Sequence, residues 1–230
     1  MPPRTPVSRD RALAEAVALA DADGIDAVSM RNLAARLDVV PMALYKHVTN
    51  KDDLLDGMVA MLIESYDPPA PGLGWKDAVR AQILSARQVL LRHPWARQVI
   101  ETRTTRTPQV LGYMNRLSGL FIDGGFSPDL THHVMHALGH RIWGFSPEAF
   151  DDPDSLQPPP DPEQRLAMFE MVRQTYPYIA MIALDSAGGD LTRVGNDCDE
   201  QFEFEFTLDL LLDAFERLHE AGWRSRDTST

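Results

Sequence analysis

Within SMRNLAARLDVVPMALYKHVTNK, residues 29–51, two short helical patterns are separated by so few residues that they must be neighbours in space. Ser29 is an N-cap candidate, its hydroxyl placed to accept a bond from a backbone N–H that the first turn leaves unpaired. Met30, Leu33, Ala34 and Leu37 then recur at helical spacing. The pattern breaks at Asp38-Val39-Val40, and Pro41 suits a first helical position because it lacks the N–H that would be unpaired there anyway. A second helix is expected over Pro41–His47, with Ala43, Leu44 and Val48 able to pack inward and Met42, Tyr45, Lys46 and His47 facing out. Asn50 caps a third helix whose first turn carries Asp52 and Asp53, both favourable at the positive end of a helix dipole. Lys51 gains nothing from that dipole, and a phosphate partner would account for it. Two short helices across a tight turn, the second displaying a phenol, an ammonium and an imidazole, make a helix-turn-helix.

The net charge of −12 argues against a nucleic-acid partner, because phosphate binding is driven by basic groups. The distribution of that charge points the other way. Between residues 29 and 51, Arg31, Arg36, Lys46 and Lys51 stand against Asp38 alone, and the acidity lies elsewhere. The proline-rich start, MPPRTPV, reads as an arm from which Arg4 and, just beyond it, Arg9 could reach DNA. It lacks the apolar run of a signal peptide, no stretch approaches a membrane span, and the lone Cys198 excludes an intrachain disulfide. A cytoplasmic protein with no membrane partner is expected.

Residues 29–55 closely resemble the DNA-binding domain of the tetracycline-repressor (TetR) family of bacterial transcription regulators. Ser29, Arg31, Leu33, Ala34, Leu37, Val39, Ala43, Leu44, Tyr45, His47, Val48, Asn50, Lys51, Leu54 and Leu55 carry the likeness. One position departs from it: Asp38 stands where glycine is usual, and Asp is among the few other residues that tolerate positive φ. The expected DNA contacts are Ser29, Arg31, Pro41, Met42, Ala43, Tyr45, Lys46, His47 and Lys51. Pro41–His47 would lie in the major groove of a palindromic double-stranded operator, with Tyr45 and Lys51 on phosphates.

The rest of the chain keeps a helical pattern without strand signals, so an all-α protein of nine or ten helices is expected. A capped helix from Ser8 to Asp23 completes a three-helix head. The helix from Asn50 to Tyr66 has an apolar face wide enough to pack on both head and body, as the only element to do so. Three prolines and two glycines in residues 67–74 divide a DNA-binding domain with its linking helix, 1–66, from a ligand-binding and dimerisation domain, 67–230. Tyr176-Pro177 is expected to kink one long helix, and DDPDSLQPPPDP, residues 151–162, to form a loop. The last helix, from about Asp197 to Ala221, is apolar over more than one stripe. Homodimerisation would bury it, paired with the helix from Pro128 and their two-fold copies as a four-helix bundle.

Thr102–Pro108, TRTTRTP, offers hydroxyls and guanidinium groups just before a helix, a plausible polar wall. With Gly125-Phe126 and Gly139-His140, it is similar to the ligand-binding domain of the tetracycline-repressor subgroup, which implies an effector pocket and repression relieved by a small molecule. The expected lining is Trp95, Ile100, Arg103, Thr104, Met114, Leu117, Phe121, Met135, Trp143 and Met171, an aromatic and methionine-rich set suited to a largely apolar effector. The alternative is that these side chains fill a core. His132, His136 and His140 share one helical face at spacings of four, so a helical metal-binding protein or enzyme built there is the competing reading. No catalytic motif or phosphate loop is present, and no cofactor is expected.

Overall fold

The computed structural model describes residues 6–103, 106–142, 161–194 and 199–228. Among them there are eleven α-helices and no strand: α1 Arg9–Asp23, α2 Met30–Arg36, α3 Pro41–Leu44, α4 Lys51–Glu64, α5 Trp75–Arg92, α6 Trp95–Thr102, α7 Pro108–Asp123, α8 Pro128–Ile142, α9 Pro162–Thr175, α10 Pro177–Ser186 and α11 Glu200–Glu220. The count exceeds the expected nine or ten because Tyr176-Pro177 ends one helix and starts another. Tyr176 leaves the helical conformation, at φ −132° and ψ 65°, and Pro177 takes a first-turn position of α10, where its missing N–H breaks no bond.

The caps explain most boundaries. Ser8 accepts from Arg11 N (3.2 Å) at the start of α1, and Gly24 ends that helix at φ 81°, a conformation in which a side chain would be strained. Thr107 accepts from Val110 N (3.3 Å) at α7, whose next residue is again proline. Helices α1, α2 and α4 enclose Leu13, Ala16, Leu19, Leu33, Leu54 and Met58, with Leu44 of α3 and Val48 sealing the end. A Cβ on Gly57 of α4 would meet Leu13 Cδ2 at 2.6 Å, so this glycine sets how closely α4 packs on α1.

Backbone contacts group residues 1–145 with 211–230 as one compact unit and 146–210 as another. The division expected after residue 66 falls within the first unit, because α4 packs against α6 and α7 as well as α1. Beyond the head, the core of that unit is aromatic: Phe121 lies 5.2 Å from Phe126, 5.7 Å from Trp75 and 6.3 Å from Phe215 between ring centroids. Lys76 of α5 binds Asp213 (2.7 Å) and Glu216 (2.6 Å) of α11, and these two carboxylates push its pKa up to about 12. In the second unit, α10 leaves Tyr178, Ile179, Met181 and Ile182 exposed. The start of α11 does the same with Phe202, Phe206 and Leu210, one turn apart.

Candidate nucleic-acid interface and effector region

The helix-turn-helix is built by its backbone before any side chain reaches outward. Ser29 accepts from Asn32 N (3.1 Å) and starts α2. That helix closes with paired bonds from Asp38 N to the Ala35 carbonyl (3.2 Å) and from Val39 N to the Ala34 carbonyl (3.0 Å), a Schellman turn. Asp38 takes the left-handed conformation this turn demands, φ 53°, and is the only non-glycine among the described residues to do so. Val40, extended, then leads into Pro41.

Helix α3 is one turn long, shorter than the expected Pro41–His47. After Leu44 the chain tightens, with both His47 N and Val48 N donating to the Leu44 carbonyl (2.8 and 2.9 Å). Leu44 is buried and Ala43 and His47 are half-buried, whereas Val40, Pro41, Met42, Tyr45 and Lys46 are exposed. Arg31 and Lys51 are exposed too. No carboxylate of the described residues pairs with Arg31, Lys46 or Lys51. Arg36 of the local basic set is engaged internally, bound to Glu15 of α1 (2.5 Å).

Arg9 corrects the expectation that it reaches for DNA. It sits in the first turn of α1 and its guanidinium donates to Asp53 (2.6 and 3.2 Å) and to the His47 carbonyl (2.9 Å). Asp53 also accepts from Thr49 N (2.8 Å) and Thr49 Oγ1 (3.1 Å), while Asn50, the N-cap, accepts from Asp53 N (2.8 Å), so the first turn of α4 is tied to both residues before it. The Arg9 hydrogen bond, with help from Thr49, holds the Asp53 carboxyl down at about 2. One buttress thus fixes the end of the α3 turn to α1 and α4. Arg4 lies outside the described residues.

The residues expected to line an effector pocket stand in different settings. Trp95 is buried, but its Nε1 donates to Asp21 of α1 (2.6 Å), and His93 Nδ1 lies 2.8 Å from the same oxygen. Arg103 binds Asp52 (2.8 Å) and approaches Asp56 (3.6 Å), both on α4. Helix α6 is therefore tied to the head at both ends, and α4 is not the only element to touch both head and body. Leu117 and Phe121 are buried, Ile100 and Met135 half-buried, and Met114 exposed on α7. Met171 is exposed on α9 in the second unit. Thr104 and Trp143 lie outside the described residues.

Sequence patterning misses Tyr66 and Tyr113. Their rings meet edge to face at 5.3 Å between the end of α4 and α7, 7% and 3% exposed, and neither hydroxyl has a hydrogen-bond partner among the described residues. Burial pushes both phenols well above their ordinary pKa, so both stay protonated as donors. A buried hydroxyl without a partner costs about 1–3 kcal/mol, so the pair invites an acceptor. The one signal in the sequence is Tyr113 in register with Leu117 and Phe121, on the inward stripe of α7. Close by, Glu64 accepts from Gln109 of α7 (3.1 Å), and Asp67 N donates to Ser85 of α5 (2.7 Å), so the end of α4 is anchored to the body.

On α8, the His132 and His136 rings lie 4.6 Å apart. His133 instead faces Trp223 (5.4 Å) and Asp129 (3.9 Å). The His140 side chain lies outside the described residues, and among those residues no group of three or more His, Cys, Asp or Glu is placed to hold a metal ion. Among the described residues no helix is long and apolar enough to cross a membrane.

Comparison with known proteins agrees at both ends of the chain. The family model "Bacterial regulatory proteins, tetR family" matches residues 12–58, and "Tetracyclin repressor-like, C-terminal domain" matches residues 68–218. The HTH-type transcriptional repressor DrrR1 of Streptomyces coeruleorubidus is 27% identical over 225 residues, 94% of this chain and 80% of that one. The tetracycline repressor protein class G of Vibrio anguillarum is 27% identical over 222 residues, covering 94% of this chain and 97% of the relative. Among solved structures, the Streptomyces coelicolor TetR family protein ActR in complex with actinorhodin superposes with a TM-score of 0.66 at 26% identity, covering 92% of this chain and 96% of that chain. With the helix-turn-helix and the larger helical domain both matched, the chain belongs to the tetR family of bacterial regulatory proteins.

Proposed function

We propose that this TetR-family regulator is a cytoplasmic repressor that seats α3 in the major groove of a palindromic operator as a homodimer and leaves it when a small, largely apolar molecule binds the body. The observation that carries this is the tight turn at Asp38 before α3 and the Arg9 buttress beyond it, between which Met42, Tyr45 and Lys46 stand at the surface with Arg31 and Lys51 unpaired nearby among the described residues. Tyr45 and Lys51 hold phosphates, with Ser29 and Arg31 at the start of α2, Ala43 on α3 and His47 in the turn that follows it completing the contact. The name of DrrR1 supports repression, and the complex of ActR with actinorhodin supports a small-molecule effector.

The effector binds in residues 67–230 and offers a hydrogen-bond acceptor to Tyr66 and Tyr113. Because Tyr66 directly follows the C-cap of the helix that begins beside the DNA, an effector held there favours one head orientation. A coupling of about 1–3 kcal/mol is enough for a several-fold to hundredfold change in occupancy. Dimerisation covers the exposed stripe Phe202, Phe206 and Leu210 of α11. Screening apolar and amphipathic compounds for both thermal stabilisation and loss of operator binding tests the switch. A compound that stabilises the body and leaves DNA affinity unchanged counts against it.

A further inference from the structure

We propose that the sequence preference of this protein is set by thymine methyl groups, read by Val40 and Met42. This rests on α3 entering the major groove, as proposed above. The start of a recognition helix is the part that meets base edges. Here the chain runs Val39-Val40-Pro41-Met42-Ala43-Leu44, without one side-chain N–H, O–H or oxygen. Base pairs are told apart in the major groove by donors, acceptors and the C5 methyl of thymine, and hydrocarbon can recognise only the last of these.

Two of the six have no packing role to explain them: Val40 is 67% exposed and Met42 70%, while Leu44 is fully buried in the head. Beside Val40 an open, shallow hollow is lined by Ala35, Asp38, Val39 and Ala43. Two polar side chains on α2 are engaged within the protein, which leaves Arg31 exposed at the start of that helix. Asn32 Nδ2 donates to the Ala27 carbonyl (2.8 Å) and Arg36 is bound to Glu15. Tyr45, Lys46 and Lys51 supply the phosphate grip that fixes register, and the operator half-site carries thymine opposite Val40 and Met42.

The test uses the full-length protein and duplexes it selects from a random pool, with each thymine then replaced singly by deoxyuridine, which lacks only the methyl. At one or two positions in each half-site the replacement should weaken binding about four-fold, the worth of one methyl buried on hydrocarbon. Val40→Ala and Met42→Ala should each remove that sensitivity at one of these positions. Selected sites with no shared thymine, or deoxyuridine changing affinity less than about two-fold at every position, would overturn methyl recognition while leaving DNA binding intact. Failure to select any duplex would instead overturn α3 as a DNA-reading helix. The deoxyuridine series on the unmodified protein decides the matter even where a variant does not fold.

Discussion

The Asp53 carboxylate serves two residues at once, Arg9 and Thr49, and its charge strengthens both contacts. Its folded pKa, about 2, lies below the ordinary carboxylate value near 4 because Arg9 donates to the ionised form. The stability it contributes is therefore complete above about pH 4 and is lost as pH falls towards 2. Circular dichroism of chemically denatured samples between pH 5 and 2 should show that loss. Asp53→Asn should flatten it while lowering stability at pH 7 by about 1–2 kcal/mol, as for a lost cap and a broken charged hydrogen bond. An unchanged acid profile would remove Asp53 from this role. Lys51 acts outward instead: Lys51→Ala should weaken binding to all duplexes alike and reduce the slope of log affinity against log salt by about one. Asn50, Asp53 and Ser29 are legible in the sequence because caps are local. The Arg9–Asp53 pair is not, since its members lie 44 residues apart and only the α1–α4 packing brings them together.

Helix α6 shows the same boundary between local and tertiary information. Its existence is legible from Pro94 and the apolar positions that follow, but its partners are not. Nothing in a pattern assigns Trp95 to Asp21, or Arg103 to Asp52 and Asp56. In sequence those side chains suit a pocket wall equally well, because aromatic and guanidinium groups fit both settings. Held at two ends, α6 restrains the direction of α4, so Arg103→Ala should speed hydrogen exchange in residues 51–64. It should also weaken operator binding by about three- to ten-fold, or 0.7–1.4 kcal/mol, with helical content retained. Unchanged exchange there would mean that α6 does not brace the head. The break between α9 and α10 is half legible: Pro177 marks an interruption, but whether a helix bends or restarts depends on the backbone of Tyr176, which is not helical.

At the scale of the whole molecule, the exposed α11 stripe calls for a second copy. Phe206, 52% exposed, is a better probe than half-buried Leu211, where a charge would disturb folding as well as association. Phe206→Asp should give helical monomers in sedimentation at micromolar concentration, and a persistent dimer would place the interface elsewhere. All-α architecture and the helix-turn-helix are legible because periodicity and caps repeat the same message along the chain. The grouping of residues 1–145 with 211–230 is not, because it depends on contacts made across the whole length. The most direct test of a dimeric, sequence-reading repressor is the stoichiometry of the purified protein on its selected duplex, measured by sedimentation together with footprinting. Two protomers should occupy half-sites about one helical turn, roughly 10 base pairs, apart or a multiple of it. A single bound protomer, or equal affinity for unrelated duplexes, would contradict the account.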